Sequence, residues 1–195
     1  MKQIKGYTEC IDKTEHAVNA LVRYADKYKG KLNLMAIGPL TNIALAVRLD
    51  PTFPSKVKTI TIMGGTSNAL GNMTLSTEFN FRQDPEAAAI VFKEFTNIKL
   101  LTWNCSMDTE PKTKEQMDRL YYEPASTPLG EFHRDSCEHF YKLEKRFYIT
   151  DCLCPIAIID PSSIKKSFKA FGVIETANSM SKGMIQYYQE GCLPY

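Results

Sequence analysis

The sequence has 195 residues, 44% hydrophobic and 24% charged, enough for one domain with a sizeable core. Lys and Arg number 24 against 22 Asp and Glu, with no basic block, which argues against a surface that tracks nucleic-acid phosphates. No apolar run approaches bilayer length, and Met1-Lys2-Gln3-Ile4-Lys5-Gly6 has no signal-peptide core, so the expectation is a cytoplasmic chain with no membrane partner.

In chain order, Asp12 or Thr14 is placed to cap a helix running to about Lys29, and Gly30 ends it. Ala17, Ala20, Leu21, Tyr24, Ala25 and Tyr28 fall on one apolar face of that helix. Leu32 to Ile37 reads as a short buried strand, followed by the Gly38-Pro39 turn and a helix over Leu40 to Leu49 that Asp50-Pro51 stops. Val57 to Ile62 is rich in β-branched residues and predicts a strand ending at Met63. A long loop with three glycines (Gly64, Gly65, Gly71) and the polar residues Asn72, Glu78 and Asn80 comes next. Asp84-Pro85 then caps a helix to about Phe95. Ile98 to Trp103 predicts another strand. Strands alternating with helices indicate an α/β fold with a mostly parallel sheet and right-handed crossovers.

After Trp103 the pattern changes. Lys112 to Tyr122 and Pro128 to about Tyr148 predict helices carrying most of the aromatic and charged residues. The segment Tyr148 to Pro161 follows, with Asp151 near its start and Asp160-Pro161 at its end, and Val173 to Ala177 predicts a last strand. No repeat or linker interrupts the chain, so residues 1–195 are expected to form a single domain. The six cysteines (Cys10, Cys105, Cys137, Cys152, Cys154, Cys192) contain no C-x-x-C pair, so reduced thiols are expected rather than a zinc site. Two sequons, Asn72-Met73-Thr74 and Asn104-Cys105-Ser106, would matter only in a secreted protein.

The long loop is where chemistry is expected. Open α/β sheets bind ligands in loops at the carboxyl ends of their strands. Asn and Glu side chains there offer donors and acceptors together, as a ligand with several hydroxyls requires. A surface loop whose polar residues only shape turns is the alternative.

Met63-Gly64-Gly65, Gly71-Asn72, Glu78-Phe79-Asn80 and Asp84-Pro85-Glu86-Ala87-Ala88 occur in an order that resembles the inosine–uridine-preferring nucleoside hydrolase family. Gly38-Pro39-Leu40-Thr41-Asn42-Ile43-Ala44 is similar to another segment of that family. The resemblance runs roughly from Thr14 to Met184. It implies a nucleoside hydrolase-like fold with a Rossmann-like core, and hydrolysis of the N-glycosidic bond of a ribonucleoside to ribose and free base. It also implies calcium held by aspartates and one backbone carbonyl, which suits a hard cation. By that resemblance Asp151 matches the late calcium-binding aspartate and Ile37 the position whose carbonyl is a ligand. Asn72, Glu78 and Asn80 match residues that hold the ribose hydroxyls, and Met63 lines the sugar pocket. Family members commonly associate, so a homo-oligomer is a possible state.

Two departures accompany the resemblance. Thr150 stands where many members place a His that assists the departing base, and a Thr hydroxyl is no acid near neutral pH. The opening Asp-x-Asp-x-Gly-x-Asp-Asp strand, source of the general base and most calcium ligands, does not occur in this sequence. The expectation is therefore an N-terminally incomplete fold that is inactive as it stands. The alternative is a non-catalytic nucleoside- or sugar-binding protein, or a scaffold, of the same fold. His133 and Cys137, four apart on a predicted helix, read as a solvated or packing feature, and His16 and His139 lie elsewhere.

Overall fold

The computed structural model describes residues 13–108, 113–117, 119, 127–132, 134–135 and 150–189. The chain groups into two compact units, residues 15–106 with 150–195, and residues 1–14 with 107–149. Of the latter, the short helix α7 (Lys114–Met117) is described.

The first unit opens with α1 (Ala17–Lys27), β1 (Leu32–Ala36), α2 (Thr41–Leu49), α3 (Phe53–Lys56) and β2 (Val57–Met63). It continues with α4 (Phe79–Gln83), α5 (Pro85–Glu94), β3 (Ile98–Leu101) and α6 (Trp103–Met107). The three strands form one parallel sheet in the order β1-β2-β3, as the alternation of helix and strand predicts. Successive side chains of a strand point to opposite faces, and β2 is buried from Ile60 to Met63, so both faces of its carboxyl half are covered. Helices α2, with Ile43, Ala44 and Val47 buried, and α5, with Ala87, Ala88 and Val91 buried, pack against each other and share the core with the sheet. Phe53 of α3 meets Phe95 edge to face at 5.9 Å and seals one end of the core.

Later in the chain, α8 (Leu153–Ile159) packs on β2 and runs into a 3-10 turn at Pro161–Ser163. β4 (Ala170–Ile174) and β5 (Ile185–Gln189) then pair antiparallel as a separate two-stranded sheet, with β4 against α5.

Several expectations are corrected. The first helix starts at Ala17, not after Asp12 or Thr14. His16 is its N-cap, with Nδ1 accepting from the Val18 N–H at 3.2 Å. Its buried residues are Val18 and Ala25, whereas Tyr24 and Tyr28 stay exposed. Strand β1 is half-exposed rather than buried because it lies at the edge of the sheet among the described residues, and it stops at Ala36, leaving Ile37 in the turn. The long loop ends five residues early, in α4, because Glu78 caps a helix that low apolar periodicity concealed. Trp103 begins α6 rather than ending β3. The strand expected over Val173 to Ala177 lies instead at Ala170–Ile174, as one arm of a hairpin separate from the parallel sheet, and Ile185–Gln189 follows it as the other arm. Most of the helices expected over 112–122 and 128–148, including His133, Cys137 and His139, and also Cys10 and Cys192, lie outside the described residues.

Candidate functional site at the carboxyl end of the sheet

The site begins where β2 stops. After Met63 the backbone runs beneath the Phe81 ring, and two glycines make this possible. A Cβ on Gly64 would stand 2.3 Å from that ring. Gly65 has a φ of +63°, and a Cβ there would be 2.8 Å from both Phe81 and Ile185. Phe81 is fully buried and meets Phe92 of α5 edge to face at 5.6 Å, which anchors α4 to the core.

Glu78, the N-cap of α4, closes the loop back onto this turn. Its Oε1 accepts from the Asn80 N–H at 2.8 Å, and its Oε2 accepts from the N–H groups of Gly65 at 2.9 Å and Phe81 at 3.2 Å. One side chain thus caps the helix and pins the Gly65 turn. Asn80, also buried, donates from Nδ2 to the Met63 carbonyl at 3.1 Å, with the Met63 sulfur 3.3 Å away. The carbonyl acceptor fixes which way the amide stands and leaves Oδ1 with no partner among the described residues. Asn72 sits exposed at the rim, its Oδ1 accepting from the Phe79 N–H at 2.9 Å. On the far side of the turn, the buried Asn104 accepts from the Ser67 N–H at 2.6 Å and from its hydroxyl at 3.2 Å.

Burial pushes the Glu78 carboxyl above the usual carboxylate range, against the three N–H groups that favour its charged form. The charge of Asp151 raises it further, so these two carboxylates, distant in sequence, are within electrostatic reach of each other. Asp151 is itself raised, by desolvation of its carboxyl, although the residue as a whole is exposed. It is not the helix N-cap that its position suggests. Helix α8 starts at Leu153, Cys152 holds the cap position, and only the Asp151 carbonyl is engaged, by the Cys154 N–H at 3.1 Å. The carboxylate is therefore uncommitted among the described residues. Cys154 beneath it is fully buried and its thiol is pushed up to about 11 by burial first, then by Asp151 and Cys105, which makes it an inert packing group.

The structure thus brings Met63, Glu78 and Asn80 into one bonded cluster, joins Asn72 to it through Phe79, and sets Asp151 near enough to act on Glu78. Ile37 lies one residue beyond the Ala36–Ile62 pair, at the same end of the sheet as Met63. It borders an open apolar groove of about 380 Å³ between α1, β1 and α2, lined also by Tyr24, Met35 and Asn42. Thr150 supplies its carbonyl to the Leu153 N–H at 3.3 Å. The participation of the Gly65 N–H and of Asn104 was not anticipated from the residues. The φ that only glycine favours follows Met63-Gly64, and a polar Asn follows an apolar strand at Trp103, but neither pattern names its partner.

Among the described residues no three of His, Cys, Asp and Glu converge as metal ligands. Asp151 and a carbonyl at Ile37 offer two oxygens where calcium takes about six to eight. The described residues therefore do not fit a complete calcium site.

Parallel strands thus end in a buried, carboxylate-centred polar cradle at the carboxyl end of the sheet, the place where open α/β sheets bind ligands. The sequence profile of the inosine-uridine preferring nucleoside hydrolases matches residues 4–191. The chain belongs to that family. It is 31% identical over 179 residues to probable uridine nucleosidase 2 of Oryza sativa subsp. japonica, covering 87% of this chain and 53% of the relative. It is also 31% identical over 158 residues to the pyrimidine-specific ribonucleoside hydrolase RihB of Shigella flexneri, covering 77% and 49%. Among solved structures it resembles an inosine-guanosine nucleoside hydrolase at a TM-score of 0.82 and 27% identity, over 91% of this chain and 57% of that one. A plant nucleoside hydrolase shares the fold at a TM-score of 0.80 and 24% identity, over 92% and 57%. The chain thus spans about half the length of the relatives it matches. Among the described residues no helix is long and apolar enough to cross a membrane.

Proposed function

We propose that the cradle binds the ribose of a ribonucleoside and serves hydrolysis of its N-glycosidic bond, giving ribose and free base. The observation that carries this reading is the buried Glu78 carboxylate, fixed by three N–H groups beside Asn80 and electrostatically coupled to Asp151. Asn80 Oδ1 and the Asn72 amide present an acceptor and donors to adjacent sugar hydroxyls, and Met63 gives the apolar floor. Holding the diol in one geometry is the contribution these residues make to an oxocarbenium-like transition state. Asp151 is the group here that would contribute to a calcium ion. Both named sequence relatives are pyrimidine-directed, so uridine is the substrate to test first, with inosine beside it.

The 195 residues contain no Asp-x-Asp-x-Gly-x-Asp-Asp motif, and Thr150 is no acid at neutral pH. We infer that the chain by itself binds ribose and does not turn nucleosides over. The test is calorimetric titration of the purified chain with ribose and uridine, with and without calcium, beside an assay for released base. Binding without release is expected; calcium-dependent release of uracil would overturn the inference of inactivity. The second reading, a non-catalytic sugar-binding protein, is favoured by the same two absences. It separates from the first if supplying the acidic strand as part of a longer chain leaves turnover at zero.

A further inference from the structure

The β4–β5 hairpin stands outside the parallel sheet and carries none of the residues assigned to the sugar, yet its turn is fastened to the helix that does. Arg82, two residues after Asn80, donates from Nη1 to the Lys182 carbonyl at 2.8 Å. Gly183, with a φ of +92°, lies against the α4 backbone: a Cβ there would be 2.9 Å from the Arg82 Cα and 3.0 Å from the Phe81 carbonyl. Lys182 reaches Glu86 at the start of α5 at 2.6 Å. The Thr74 hydroxyl, on the other arm of the loop, lies 3.5 Å from the Met180 carbonyl. The turn is internally braced by Gly183 N–H to the Glu175 carbonyl at 2.7 Å and Met184 N–H to the Ser181 carbonyl at 2.8 Å.

A helix of five residues is too short to hold its own geometry, because few of its backbone groups have partners within it. Phe81 anchors one side of α4, and the hairpin turn is what meets its backbone on the other. We propose that the 177–184 turn is a buttress that sets the position of Asn80 and Glu78, and that Arg82 is a positioning residue for the sugar cradle. The guanidinium is the key link: its hydrogen bond is charge-assisted and partly buried, whereas the Lys182–Glu86 pair is more open to solvent and contributes less. This inference rests on the reading of the cradle as a ribose site.

The test uses the full 195-residue chain labelled with ¹⁵N, comparing the parent with Arg82→Met, Arg82→Lys and Gly183→Ala. In Arg82→Met the aliphatic stem is kept and the donor is lost. Expected are a shift of the Asn80 side-chain amide signals, faster exchange of the Gly65 N–H, and D-ribose binding weakened about tenfold. Arg82→Lys, which can still donate to the carbonyl, returns the signals and most of the affinity. Gly183→Ala forces the same contact apart, so it reproduces the Asn80 shift and serves if Arg82→Met does not fold. Asn80 and Gly65 signals in the variants that superimpose on the parent's would overturn the buttress. A parent chain that does not bind ribose would count against the proposed function, while the amide signals would still decide the role of Arg82.

Discussion

At Glu78 burial and hydrogen bonding pull in opposite directions, and burial prevails. Its folded pKa is raised above the ordinary 4.5, so between those two values the folded chain binds more protons than the unfolded one. The stability this group contributes is therefore present below 4.5 and is lost as pH rises through the folded pKa. Against Glu78→Gln, urea unfolding in EDTA should show the parent's relative stability falling from acid towards neutral pH and then levelling. A difference that instead grows with pH would mean that the three N–H groups outweigh desolvation. Asp151 behaves differently because its carboxylate holds nothing in place among the described residues. Asp151→Asn should change unfolding free energy by no more than about 0.5 kcal/mol while removing any calcium dependence of ribose binding. A large loss of stability would show that the carboxylate is structural.

At the scale of elements, the junction of β2 and α4 depends on a backbone that no other residue fits. Gly65→Ala places a side chain at a positive φ and against both Phe81 and Ile185, and should cost about 1–3 kcal/mol in urea unfolding. Strand β5 offers the opposite case. The Tyr187 hydroxyl is buried beside Phe168 with no hydrogen-bond partner among the described residues, and burial raises its pKa. Removing a polar atom that has lost water and gained nothing in return relieves a penalty. Tyr187→Phe should leave stability unchanged or raise it by up to about 1 kcal/mol, measured the same way. A loss instead would reveal a partner for that oxygen.

For the whole molecule, the governing feature is the open edge of the parallel sheet. Among the described residues β1 has a neighbour on one side only, and Met35 and Ile37 at its carboxyl end are 40% and 44% exposed beside an apolar groove. Such an edge presents unpaired backbone groups next to apolar side chains, which favours pairing with another chain. Met35→Lys puts a charge on that edge and should lower light scattering of concentrated solutions with no change in the far-UV circular dichroism. Unchanged scattering would mean that this edge does not drive association. Much of this architecture was legible beforehand. The Val57–Met63 strand matched to the residue, and α2 and α5 came within one residue at each end, because periodicity, Asp84-Pro85 and Asp50-Pro51 are signals between near neighbours. α4 was not legible, since its cap at Glu78 is also a site residue and its five positions span barely more than one turn.

Met63, Asn72, Glu78, Asn80 and Asp151 were nominated as site residues by the resemblance of their segments to a family, and the family itself was legible in those segments. Only the folded chain decided that Glu78 takes the N–H of Gly65, that Asn80 turns its amide onto Met63, that Asp151 is free of its helix, and that a hairpin far along the chain grips Arg82. Chain-local patterns report on torsions and on which face is apolar, because those depend on residues a few positions apart. Convergence of groups from distant segments, and the desolvation that goes with it, depends on how the segments pack, and nothing short of the packed structure contains that information.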